Sequence, residues 1–410
     1  MTLRAFEAFG IEIEYMIVDR ASFAVRPVAD RLLQRAAGTL TGDFEDGAVT
    51  WSNELALHVL ELKNTAPAPL RGGAREFARS AAVADALLAE QGARLLPSGM
   101  HPLFLPNEFV RWPHDSGEIY AAYDRIFDCR GHGWSNLQSC HVNLPFANDE
   151  EFGRLHLAAR ALLPLLPALS AASPFCEGRF TGNLDHRLET YRHNQRSVPR
   201  IAGAVVPEPV RTRDEYYETI LRPIWRDIAP LDPDGLLQEE WLNSRGVVAK
   251  FFRDAMEIRV LDCQESPYCD FAIAAFVVAV VRALYEERWA SMETLAALPT
   301  ERLAALLLAA ARDGERTVVD DPALLAVVGL PATPTTMQRI WRHLADAVLP
   351  DVSLFDATLA KPLETILRDG PLARRMLSAV GTEPSVEQLR GLCARLADCL
   401  AAPTPTSFGS

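Results

Sequence analysis

The chain has no run rich in lysine and arginine, no Cys-X-X-Cys pair and no apolar stretch of membrane-spanning length. Each absence excludes a class of function. With 54 acidic against 41 basic residues and a net charge of −13, the chain lacks the cationic footprint that non-specific nucleic-acid or anionic-membrane binding needs. The seven cysteines (129, 140, 176, 263, 269, 393 and 399) are odd in number and form no recognisable nucleophile or ligand motif, so reduced thiols are expected. The opening MTLRAFEAFGIEIEY has no apolar core before its acidic residues, so it does not read as a secretory signal, and a cytoplasmic location is expected. The longest apolar stretch, Phe271 to Val281, holds eleven residues between Asp270 and Arg282. That is too few to cross a bilayer and suits a buried helix. Also missing are internal repeats, a Walker A loop, a GxGxxG turn after a strand and a GxSxG elbow.

What remains is an ordinary globular composition, 49% hydrophobic and 23% charged over 410 residues, long enough for one large domain or two to three small ones. Strand patterns fall at 6–19, 49–63, 95–97, 139–146 and 246–262, the last as two runs separated by Arg253-Asp254-Ala255 that suit a hairpin or one bent strand. Helical patterns fall at 27–38, 72–92 and 151–172 (kinked or split by Pro164 and Pro167), then at 270–290. Beyond 290 strand signals stop, and helices are expected at 300–312, 321–329, 335–348, 360–380 and 386–401, with a disordered tail over 402–410. Strands first and helices after predict an α+β fold, not alternating α/β. The expected division is a catalytic region over 1–290 and a helical region over 291–401 packed upon it.

Three segments place polar groups two residues apart inside apolar runs: Glu12-Ile13-Glu14, His141-Val142-Asn143 and Glu257-Ile258-Arg259. On a strand, residues i and i+2 share a face, so the intervening apolar residues fill the opposite, buried one. Buried charges must be compensated, and a purely structural strand gains nothing by carrying them. Glu12 and Glu14 would stand roughly 6.6 Å apart, from a rise of about 3.3 Å per residue, a spacing that suits adjacent divalent ions. A solvated acidic strand face has the same pattern. His141 read alone is a satisfied core histidine, and Glu257 with Arg259 a cross-strand ion pair. Asp262 falls on the other face from both.

Glu61 sits mid-strand between Leu60 and Leu62, and Glu54 follows Ser52-Asn53, where it also reads as a turn residue. Oxygen-rich sets of this kind suit Mg²⁺. The loop-rich segment 173–214 is cationic, and within it Arg187 and Arg192 are the candidates for phosphate or nucleotide binding, although arginines in a loop are often a solvated face.

With these residues assembled, the chain resembles the glutamate–cysteine ligase family of the second type, which includes carboxylate–amine ligases of the glutamine synthetase superfamily. The matching pieces are FGIEIEYMIVD, NELALHVLELK, SCHVNLPF and MEIRVLDCQESPYCD, in the family's order over roughly 6–290. The resemblance implies a curved, mainly antiparallel sheet whose concave face holds ATP and Mg²⁺, or Mn²⁺ in its place. It implies Glu12, His141 and Glu257 on the metal nearer the ATP phosphates, Glu14 and Glu61 on the metal near the acceptor carboxylate, and Glu54 at a further metal position. Arg259 matches the arginine that contacts the transferred phosphate, with Asn143, Arg187 and Arg192 in the cofactor-binding set. The 183–196 loop departs from the family's familiar form.

The implied activity is ATP-dependent amide formation through an acyl phosphate, with glutamate and cysteine as the leading substrate pair. A mobile loop at 100–135 or 176–214 is the expected lid. The competing readings are a ligase for another amine or peptide, a guanidino-type kinase, and a non-catalytic nucleotide-binding protein. Partners are small molecules, with a homo-oligomer left open.

Overall fold

The computed structural model describes residues 2–115, 117–350 and 355–403. Of the tail expected to be disordered, 404–410 lie outside the described residues.

Eight strands form one antiparallel sheet: β1 (Gly10–Asp19), β2 (Asp43–Asp46), β3 (Val49–Asn53), β4 (Val59–Asn64), β5 (Ala93–Leu96), β6 (Ser139–Pro145), and, after the short hairpin of β7 (Phe175–Cys176) and β8 (Arg179–Phe180), β9 (Val247–Lys250) and β10 (Ala255–Asp262). Their order is β2-β3-β4-β1-β6-β10-β9, with β5 also paired to β1. The alternation in β1 fixes the two faces of the sheet. Ile11, Ile13, Tyr15 and Ile17 are buried on one side, while Glu12 and Glu14 point to the other. Pairing carries this division across the sheet, because residues directly opposite in an antiparallel ladder share a face. Leu60 and Leu62 of β4, Cys140 and Val142 of β6, and Met256 and Ile258 of β10 continue the buried side.

The expected single strand over 49–63 is two strands. Trp51 and Leu62 have opposite parity and would face apart in one strand, but the hairpin sets them directly opposite and buries both. Glu54 consequently lies in the connection. Of the two arrangements open for 246–262, a hairpin or one bent strand, the chain takes the hairpin, as β9 and β10.

The apolar side of the sheet is covered by helices Gly73–Ala89, Asp149–Leu162 and Pro267–Tyr285. The last is 19 residues long with mean hydropathy 1.8, enough by length and composition to cross a membrane, yet 78% of its apolar window is buried in the protein. Its apolar character serves the core. Among the described residues after 290 the regular elements are helices, except for the two-residue strands β11 (Val318–Val319) and β12 (Thr335–Thr336), a small pair the sequence did not signal. The helix expected over 360–380 is divided into Ala357–Asp369 and Leu372–Val380, because Gly370 takes a φ of 89° and Pro371 follows it.

One apolar cluster runs from Phe9 to Leu400, with Ala357–Asp369 packed on Pro267–Tyr285. A second cluster joins Met16 and Val18 of β1 to Leu389, Leu392 and Leu396. These two β1 residues lie on the same face as Glu12 and Glu14, so helix Val386–Cys399 covers the far end of the polar face.

Candidate active site

Register assembles the site. Glu12 stands opposite His141, Glu14 opposite Glu61, and Asn143 opposite both Gly10 and Glu257. Ligand atoms of Glu12, His141 and Glu257 lie within 4.8 Å of one another, a group that could hold a metal ion. His141 Nδ1 is 3.0 Å from Glu12 Oε2 and 3.9 Å from Glu257 Oε1. Asn143 Nδ2 donates to Glu12 Oε1 at 3.1 Å. Arg259 Nε donates to Glu257 Oε1 at 2.8 Å. Glu14 accepts from the Ser139 backbone N–H (2.7 Å) and hydroxyl (2.9 Å), which fixes its carboxylate at the other end of the group.

The electrostatics are those of a crowded acidic patch. Burial and the charge of Glu14 push the Glu54 carboxyl up to about 8. Burial and the neighbouring Glu12 and Glu54 push Glu61 well above the usual range, although Lys63 lies 3.3 Å away. At the other end, burial would raise Glu12, but the His141 hydrogen bond and the Lys250 charge hold it low. Glu257 is likewise lowered against its own burial, by Arg259 and Lys250. Burial would lower His141, yet Glu257 and Glu12 raise it. The donor set fits divalent cations on these grounds. Glu14, Glu54 and Glu61 repel one another with too little positive charge nearby, and a cation beside Glu12 and Glu257 would add to the positive charge that already lowers those two carboxyls.

Two cavities meet at this row of side chains. The larger, about 820 Å³, is lined by Gly10, Glu12, Lys63 and Asn143, with Arg253 at the β9–β10 turn. The smaller, about 240 Å³, lies along Glu14, Glu54, His141, Arg187 and Arg259. Segments expected as lids supply its aromatic walls: Tyr120 and Tyr123 from helix Gly117–Phe127, Trp134, and Tyr191.

Of the candidates read from sequence, Glu12, Glu14, Glu54, Glu61, His141, Asn143, Glu257, Arg187 and Arg259 all lie on this face or line these cavities. Arg192 does not. It is one-third exposed and paired with Glu189 three residues before it, lining neither cavity, because the short helix His186–Tyr191 turns it outward while burying Arg187.

Asp262 also departs from expectation. The β6–β10 register shifts between Ile258 and Leu261, so Asp262 pairs with Ser139 and turns to the site side. There its carboxylate accepts from Arg187 Nε, Ser173 Oγ and the Ala172 N–H.

Lys250 was missed altogether. Paired with Ala255, it shares the face of Glu257, ion-pairs with that carboxylate and reaches Glu12 at 3.9 Å. A lone lysine in VVAKFF carries no two-residue polar spacing. Only the hairpin register, counted back from Glu257, would have found it.

The chain matches the Glutamate-cysteine ligase family 2 over residues 8–395. An uncharacterized protein from Archaeoglobus fulgidus is 33% identical over 391 residues, covering 95% of this chain and 98% of its own length. A Rhodococcus jostii protein with the provisional name glutamate–cysteine ligase 2-1 is 26% identical over 392 residues, 93% of this chain and 94% of its own. Among solved structures, the Francisella tularensis glutamate–cysteine ligase in complex with AMP has a TM-score of 0.62 at 11% identity, covering all (100%) of this chain and 91% of that one. A bifunctional glutathione synthetase from Pasteurella multocida has a TM-score of 0.54 at 16% identity, covering 97% of this chain and 51% of the other. At such identities both structures speak to the fold alone.

Proposed function

The chain belongs to the glutamate–cysteine ligase family 2 and is a carboxylate–amine ligase; from that premise we propose that it uses ATP to join glutamate, or a similar carboxylate, to an amine such as cysteine through an acyl phosphate. The observation that carries this reading is the convergence of Glu12, His141 and Glu257 with Arg259 where a nucleotide-sized cavity meets a smaller one.

The larger cavity takes ATP and the smaller the carboxylate to be activated. Glu12, His141 and Glu257 hold one divalent ion, Mg²⁺ or Mn²⁺, and Glu14 and Glu61 with Glu54 a second. Such ions, when bound, offset negative charge on the phosphates and the entering carboxylate. The substrate carboxylate oxygen forms a bond to the γ-phosphorus of ATP as the bond to the β,γ-bridging oxygen breaks and ADP leaves. Arg259, its Nε fixed on Glu257, presents its remaining N–H groups to the transferred phosphoryl. The amine then adds to the activated carbonyl, the carbon–oxygen bond to phosphate breaks, and an amide, inorganic phosphate and a proton result. Water must be kept out meanwhile, which the aromatic walls of the smaller cavity serve. The chemistry is assigned to residues 1–290, and 291–401 support the sheet.

The test is ADP release with Mg²⁺ and glutamate across a panel of amines, with products weighed by mass spectrometry. An amide dependent on both substrates is expected. A stable phosphorylated product formed without any amine would point to a kinase instead. Glu257→Gln should lower kcat on the order of 100-fold or more, as loss of a preorganised charge-stabilising group does, with the fold retained by circular dichroism. A variant of near-normal turnover would contradict the metal assignment.

A further inference from the structure

Resting on this ligase reading, we propose that Lys250 is a movable counter-ion that couples the binding of the divalent ion to that of the nucleotide. Its ammonium pairs with Glu12 and Glu257 until an ion takes those carboxylates, and then moves to a phosphate oxygen of the nucleotide. Ion and nucleotide therefore bind as a pair, each poorly without the other.

Lys250 closes β9, opposite Ala255 of β10, and its side chain is 16% exposed. It stands where the ion group meets the larger cavity, since Glu12 and Ala255 line that cavity while Glu257 is fully buried. The two oxygens of Glu257 differ. Oε1 accepts from Arg259 Nε at 2.8 Å, whereas Oε2 is buried, accepts no hydrogen bond and has the Lys250 ammonium as its ion-pair partner. Oε2 is thus the oxygen left for an ion. The same ammonium lies 3.9 Å from Glu12 Oε1, across the group. Among the described residues it has no partner but these two carboxylates.

A divalent ion on Glu12 and Glu257 would set a second positive charge beside the ammonium, in a buried place where like charges are poorly screened. One of the two has to move. The ion is held by several ligands at once, whereas the lysine is a point charge on a flexible four-carbon stem. Arg259, the other cation on Glu257, is a rigid fork bonded through Nε and is the less free to leave. An ammonium taken from its carboxylates needs another anion, because a buried charge without a partner is costly. The anion that enters with the ion is the triphosphate. Each ligand thus removes the cost of the other's entry, and such a coupling must be equal in both directions. Without nucleotide, the protein's own cation keeps the carboxylates paired.

The test needs no turnover. Free Mn²⁺ is counted by electron paramagnetic resonance while the full-length protein is titrated with it, alone and with the non-hydrolysable adenosine 5′-(β,γ-imido)triphosphate. Chelation of Mn²⁺ by the analogue in solution is common to wild type and variant and cancels in their ratio. Lys250→Met should bind Mn²⁺ alone about tenfold or more tightly than wild type, and the gain in Mn²⁺ affinity on adding the analogue should shrink about tenfold or more. Lys250→Arg keeps the charge and should hold Mn²⁺ affinity within about threefold of wild type. A lysine that only braced the hairpin would lower Tm on removal and leave the coupling alone. Should Lys250→Met fail to fold, Lys250→Gln carries the test, and failure of both to fold overturns the proposal in favour of a structural role. It is also overturned by Mn²⁺ affinity in the variant equal to or below that of wild type, or by an undiminished gain with the analogue. Coupling lost in the variant, with no ATP-dependent amide formed by wild type, would sink the ligase reading and leave this assignment standing. Amide formed by wild type, with the coupling intact in the variant, would do the reverse.

Discussion

Burial and a crowd of like charge raise the Glu54 and Glu61 carboxyls, and this has a measurable sign. For Glu54 the folded value of about 8 lies above the ordinary 4.5, so without a cation the folded protein binds more protons than the unfolded chain between those values. The stability this group contributes is present at low pH and is lost as pH rises toward 8. A divalent cation should reverse the preference for the proton. Titrating Mg²⁺ into the metal-free protein near pH 7 in weak buffer should therefore release protons, and Glu54→Gln should reduce the release. No proton release would mean the carboxyls are already ionised and the cation binds elsewhere. At this scale the sequence was legible wherever polar residues came in pairs on one strand. Glu12, Glu14, His141, Asn143, Glu257 and Arg259 announced themselves by spacing. Lys250 has no such companion, and Arg192 could not be told from Arg187 because a short helix in a loop-rich segment gives too little periodicity to assign a face.

Strands position the site through register, and register was only partly readable. The parity of Trp51 and Leu62 could have shown that 49–63 reverses direction, since a single strand cannot bury both on one side. The slip between Ile258 and Leu261 leaves a fainter mark, the adjacent apolar pair Val260-Leu261 that breaks the alternation of MEIRVLD just before Asp262. That bulge makes Asp262 a support for Arg187. The approach is tight: a Cβ at Gly99 would lie 2.7 Å from the Asp262 carboxyl carbon. Gly99→Ala should cost about 1–3 kcal/mol by overpacking. If Asp262 orients Arg187, it should also raise the KM for the carboxylate substrate about fivefold or more, as loss of a charge-assisted contact does, and leave the KM for ATP unchanged. Equal rises in both constants would assign the effect to general loosening.

Over the whole molecule, the helices after 290 are part of the same packed body as the sheet. Composition alone told that they were helices but not where they packed, since apolar stripes do not name their partners. One tie is ionic: Glu265, just past β10, is completely buried and bonded through both oxygens to Arg375 of helix Leu372–Val380. Arg375→Met should cost about 3–5 kcal/mol in urea unfolding, because it strands a buried charge, and adding Glu265→Gln should recover part of the loss. A double variant no better than the single would mean the pair contributes by shape instead of charge. Helix Val386–Cys399 carries a different consequence, for biosynthesis. It covers Met16 and Val18 with a helix that is synthesised only after the whole stretch of chain between them. Until then that end of β1 has a bare oily surface, and the nascent polypeptide depends on chaperones or on speed to keep it from strangers.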